Sequence, residues 1–197
     1  MKKALIVMVA LCLAISYSFA QNTSTVVQDG DNNNADVDQI GVGNEAIVDQ
    51  SGNDNMATQL QDADNNFAGT NQSGDGNEAL QEQIDDSNEA HIDQSGDNNH
   101  AEQLQDDNFH FALIDQSGDG NWASQVQIGD TNLADIDQSG NDNRATQLQD
   151  GIVNEAFIDQ SGDMNEAHQE QIGDDNVALI IQSGSGNQAW QTQIGEG

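Results

Sequence analysis

Gln94-Ser95-Gly96-Asp97-Asn98-Asn99-His100-Ala101-Glu102-Gln103-Leu104-Gln105 contains the pattern of the whole chain. Steps of eleven residues in both directions from Gln94 meet glutamine at all sixteen positions between Gln28 and Gln193. Asparagine stands five residues after the glutamine in fourteen of fifteen cases, with His110 the exception. Alanine stands seven residues after it in all fifteen. Glycine stands two residues after it in thirteen of sixteen, replaced elsewhere by Ala63, Asp85 and Asp107. A repeat this strict sets the architecture before any other feature is considered.

A finer alternation doubles the period. Two residues before the repeat glutamine, Gln59, Gln81, Gln103, Gln125, Gln147, Gln169 and Gln191 alternate with Val48, Thr70, Ile92, Ile114, Ile136, Ile158 and Ile180. Val37 breaks the pattern early. The unit is therefore 22 residues, made of two similar halves. An eleven-residue period also suits a right-handed coiled coil. Within each half, however, the constant residues fall at every second position, which is strand alternation. Glycine in nearly every half would also cost a helix about 1 kcal/mol each time. Gly-Asp/Asn tetrads are good turn chemistry, because both residue types tolerate left-handed backbone angles.

The constant set, Asn, Ala, Ile or Gln, and Gln, points to one side of each strand and barely varies. The opposite set varies freely: Glu89, His100, Phe111, Trp122, Leu133 and Arg144 share one slot. The constant set therefore faces inward. The fold expected is all-β, a flattened β-solenoid of cross-β type with two strand-turn halves per 22-residue coil. Counted from Gln28 to Gln193, it has about seven and a half coils, stacked at about 4.8 Å. Its interior is mostly amide, and an isolated buried amide costs a few kcal/mol. Stacking each amide on an identical residue one coil away removes that cost, as in cross-β ladders. The ladder residues expected are Gln50, Gln72, Gln94, Gln116, Gln138, Gln160 and Gln182 in one row. Gln61, Gln83, Gln105, Gln127, Gln149, Gln171 and Gln193 form a second, and Asn77, Asn99, Asn121, Asn143, Asn165 and Asn187 a third.

Composition alone, with 35 acids, three Lys and Arg, no proline and four per cent aromatics, looks like a disordered chain. The order of the residues overrides that. Residues 1–20 read as a signal peptide: Lys2 and Lys3, the apolar run Ala4 to Ile15, and a cleavage point after Ala20. Residues 21–27 then form a short N-terminal segment, and 28–197 carry the repeats. A lipid anchor at Cys12 is disfavoured, because the small residues expected before a lipidated cysteine are missing. After cleavage one cation, Arg144, faces all 35 acids, and no thiol remains for disulfides or metal. Such a polyanion is not a nucleic-acid partner. No apolar stretch after the leader is long enough for a membrane span.

No constellation for catalysis stands out. His91, His100, His110 and His168 lack metal-ligand spacing, and Ser95, Ser117, Ser139 and Ser161 have no positioned base. No enzyme activity, metal or cofactor is expected. Phe109-His110-Phe111 reads as a tolerated irregularity, and Trp122 and Trp190 as isolated outward aromatics. Asp93, Asp115, Asp137 and Asp159 recur every 22 residues on the outward side and should form an acidic column. Neighbours in it repel by roughly 0.9 kcal/mol in water. The turn aspartates Asp97, Asp119, Asp130, Asp163 and Asp174 are candidate weak Ca²⁺ ligands, without the glycine-rich nonapeptide of calcium β-rolls.

The spacing Gln-x-Gly-x-x-Asn-x-Ala-x-x-x-Gln, as in Gln94 to Gln105, resembles the curlin repeat, found in the subunits of curli, the extracellular amyloid fibres of bacterial biofilms. The resemblance implies a secreted structural subunit that leaves through a dedicated outer-membrane pore and polymerises at the cell surface. It also implies a second curlin-type subunit as partner, since the family has a major subunit and a nucleator. Edge strands point the same way without it. Seven residues precede Gln28 after cleavage and four follow Gln193, so the ends should be uncapped. Self-similar ends that add head to tail make an open filament. The acidic columns would then be expected to run on across each junction. The alternative is a monomeric secreted solenoid binding ice or mineral. That wants a flat column of identical residues, typically threonine, and the outward columns here are mixed apart from the aspartates.

Overall fold

A computed structural model describes residues 21–197. The expected signal peptide, and Cys12 with it, lies outside the described residues. Sixteen strands of seven residues each begin with β1 (Thr23–Asp29) and β2 (Asn34–Ile40). They recur every eleven residues, ending with β15 (Val177–Ser183) and β16 (Gln188–Ile194). Odd-numbered strands stack in chain order into one eight-stranded sheet and even-numbered strands into another. All pairs are parallel, with each residue beside the one 22 positions on: Ala90 on Ala112, Asp93 on Asp115, Gln103 on Gln125. The protein is a β-solenoid of eight coils.

The seven and a half coils counted from Gln28 to Gln193 become eight when the strand that holds Gln28 is taken whole, since β1 begins at Thr23. Asn22 already occupies an asparagine slot, and Ser24 stands where alanine recurs, pairing with Ala46. Most of the stretch 21–27 is thus part of β1. With serine in the alanine slot, the first half-coil keeps the repeat glutamine but lacks the alanine that otherwise never varies.

Burial alternates along every inner strand. In β7 (Glu89–Ser95), Ala90, Ile92 and Gln94 are buried, while Glu89, His91 and Asp93 are exposed or half-exposed. The apolar core is a thin double row, with Ile92, Ile114, Ile136 and Ile158 against Ala101, Ala123, Ala145 and Ala167. Alanine at these positions lets the two sheets approach closely enough for long glutamines to cross between them. Apolar burial alone is modest, so the fold depends on nearest-neighbour stacking, as repeat architectures do.

Candidate functional site

Three glutamine ladders run along the axis. In the first, Nε2 of Gln50 donates to Oε1 of Gln72 at 2.8 Å. The chain of donors continues through Gln94, Gln116, Gln138 and Gln160 to Gln182, with distances of 2.8–2.9 Å. Gln61, Gln83, Gln105, Gln127, Gln149, Gln171 and Gln193 form the second at 2.9–3.0 Å. Gln59 to Gln169 form a third on the side facing the isoleucines. The second N–H of each amide crosses to a backbone carbonyl of the facing sheet, as from Gln116 to His100 O at 3.1 Å and Gln125 to Leu113 O at 2.9 Å.

That crossing bond gives the ladders a direction. If an amide were turned over, its oxygen would face a carbonyl oxygen, so Nε2 must lie on the carbonyl side. Every ladder bond therefore points its donor towards the higher-numbered coil. At the low end, Gln28 donates to Gln50 while its own Oε1 faces outward from the stack. At the high end, Gln182 and Gln193 donate only to the carbonyls of Glu166 and Val177, leaving one N–H each towards the next position. The third ladder stops short. Val37 stands beside Gln59 where another glutamine would fit, and the buried Oε1 of Gln59 has no hydrogen-bond donor.

The asparagines stack in register too, but they serve the turns more than one another. Asn99 Oδ1 accepts the backbone N–H of Asn121 at 2.9 Å, and its Nδ2 donates to Gly118 O at 2.8 Å. Asn77, Asn121, Asn143 and Asn165 likewise donate to the carbonyls of Gly96, Gly140, Gly162 and Gly184. Direct side-chain bonds between asparagines of this row join only Asn121, Asn143, Asn165 and Asn187, at 2.9–3.2 Å. A shorter side chain reaches the turn backbone before it reaches its neighbour's amide.

His110 does an asparagine's work. Its Nδ1 accepts the N–H of Asn132 at 3.2 Å, and its Nε2 donates to Asp106 O at 2.9 Å, a pairing that requires the neutral ring. Burial holds its pKa below the usual value, outweighing the Asp106 and Gly129 backbone contacts and the Asp107 and Asp130 carboxylates, which act the other way.

Asp93, Asp115, Asp137 and Asp159 form the outward acidic column in register. Burial, and then the neighbouring aspartates, raise the pKa of Asp115 and Asp137. Asp135 is raised by burial first and by Asp137 and Asp115 after that. Beyond Asp93 the slot holds Asn71, and beyond Asp159 it holds Ile181. Val27 occupies it in β1, beside Asp49. The column is thus closed off before either end of the rod and does not run on to a junction, contrary to the expectation from spacing.

The turn aspartates are already engaged: Asp97, Asp119, Asp130, Asp163 and Asp174 each accept the backbone N–H one coil below. Trp122 is not isolated. His100 stacks on it with 6.1 Å between ring centroids, and the Arg144 guanidinium lies 3.9 Å from its ring centroid. Carboxylates of Asp85, Asp106 and Asp107 converge on one turn edge, partly exposed to solvent.

No curated protein matches the chain. A family model, the curlin associated repeat, matches residues 30–58 and 106–140. The first stretch lies within the two opening coils and the second in the middle of the rod, and one 22-residue register joins them. Over those two stretches the chain matches the curlin associated repeat.

Proposed function

We propose that the protein is a secreted structural subunit that assembles head to tail into curli-like extracellular amyloid fibres, serving adhesion and the biofilm matrix. Its own ends support this most directly. Among the described residues, no strand pairs with the outer edges of β1, β2, β15 and β16. One end offers glutamine acceptors and the other glutamine donors, so a second copy continues two ladders when it adds in the same direction. Two like ends would place donor against donor or acceptor against acceptor. The residues serving assembly are the ladder glutamines and asparagines, with no catalytic group and no cofactor. A signal peptide over 1–20, read from its basic start and apolar run, completes the scheme, with an outer-membrane pore and a second curlin-type subunit by family likeness.

The test is purified chain 21–197 diluted from denaturant and followed by thioflavin fluorescence, seeding and electron microscopy. The expected outcome is a lag that preformed seeds abolish, ending in filaments with a fibre reflection near 4.8 Å, the spacing of paired strands. A β-rich monomer that persists for days at micromolar concentration would sink the proposal and favour a surface-binding solenoid.

A further inference from the structure

The two end coils differ from the six between them. From Val177 to Gly195 there is no Asp, Glu, Lys or Arg, in a chain with 35 acids. The outward side of β15 carries Val177, Leu179 and Ile181, all more than half exposed, and then Ser183. Among the described residues, every strand-borne large hydrophobic more than half exposed lies in β1, β2, β15 or β16; Phe109 and Met164, similarly exposed, lie in turns.

Placing a second copy one coil step beyond β15 and β16, in the register every internal pair obeys, decides what these residues meet. Ile181 (66 % exposed) comes beside Val27 (51 %), and Ile194 (76 %) beside Ile40 (53 %). In the interior, Ile180 comes to lie against Val26. The acids of the first coil fall beside neutral residues: Asp36 beside Trp190 and Asp38 beside Thr192. Inside the rod, by contrast, aspartate stacks on aspartate from Asp93 to Asp159.

We infer that β15 and β16 form a charge-free, apolar docking face for β1 and β2 of a second copy, in this one register, with Ile181 on Val27 and Ile194 on Ile40 as its outer apolar pairs. This rests on the head-to-tail reading above and names the surfaces that realise it. Like-charge stacking is confined to the inside of each subunit, and the joint has none, like the step from the first coil to the second. A slip of one residue would turn the apolar set to the wrong face. A slip of one full coil would leave one coil's strands unpaired.

The experiment is seeded elongation of chain 21–197, comparing wild type, Ile181→Asp, Ile181→Asn, and the double variant Ile181→Asp with Val27→Lys. Ile181→Asp should slow elongation roughly fivefold or more, because the joint would then press a carboxylate against the apolar Val27 of the next copy and strip its water. Ile181→Asn should slow it less. The double variant should recover most of the wild-type rate, because the carboxylate introduced at position 181 of one copy would then meet the ammonium introduced at position 27 of the next. Within one molecule these positions are seven coil steps apart, so recovery reports the joint and not the fold. An unchanged rate for Ile181→Asp, or no recovery in the double variant while it still forms seeded filaments, overturns the inference but leaves fibre assembly standing. Failure of the wild type to form filaments overturns both.

Discussion

The turns leading from the odd sheet to the even sheet differ from those leading back. On the first edge the glycine position is filled without exception, by Gly30, Gly52, Gly74, Gly96, Gly118, Gly140, Gly162 and Gly184. On the second, Ala63, Asp85 and Asp107 replace three consecutive glycines. His110 and the buried Nδ2 of Asn66, which has no hydrogen-bond partner, lie on that same edge. The row of turn side chains that accept backbone N–H groups is continuous from Asn53 to Asp163 on the regular edge. Ile152 interrupts the corresponding row on the other. Departures gather because each coil is the template for the next: a turn that shifts to admit a side chain makes room for the same shift above it.

The contrast is broken most severely by Gly118→Ala. A Cβ there would overlap the carbonyl oxygen of Gly140, at a backbone φ of +110° that side-chain-bearing residues rarely adopt. Strain and overpacking together should cost on the order of 3 kcal/mol, read as a lower urea midpoint. If Gly118→Ala proves harmless, stacking of turn carbonyls is not what keeps the regular edge all-glycine.

Next in size is the ladder. Gln116→Ala removes the acceptor of Gln94 and the donor to Gln138, both buried. A loss of roughly 1–3 kcal/mol is expected for the orphaned groups. Ser124→Ala, outward on β10 (Trp122–Ile128), should change almost nothing. Equal urea midpoints for the two variants would contradict the ladders' part in stability.

On the irregular edge the sign reverses. Ala63 holds a φ of +97°, which glycine adopts without strain. Ala63→Gly should therefore stabilise the rod by about 1 kcal/mol, and a lower midpoint would show that the edge has adapted to alanine.

The smallest effect is in the pH profile. His110 has a lowered pKa when folded, so its contribution to stability is present above the ordinary histidine value of 6.5 and is lost as pH falls from there towards the folded value. Asp115, Asp135 and Asp137 have raised values, so their penalty is present above those values and is relieved as pH falls through them towards 3.8. The urea midpoint should dip on mild acidification and recover at lower pH. His110→Asn should remove the dip and keep the recovery; a dip of equal depth in both proteins would locate the acid-sensitive group elsewhere.

The sequence by itself determined the coil: glutamine every eleven residues, alanine seven residues after each, and the doubled period all follow from repetition in one dimension. It also placed the aspartate column, since residues 22 apart must meet in any 22-residue solenoid. Tertiary structure decided what spacing does not encode. The direction of the ladders comes from carbonyls of the facing sheet, such as His100 O beside Gln116, because those carbonyls select which amide atom points along the axis. The turn backbones claimed the asparagines, because a short side chain bonds to what is nearest. Where the acids stop, at Ile181 and Val27, is written in the sequence, but it acquires meaning only once the register places those two residues at opposite ends of one column.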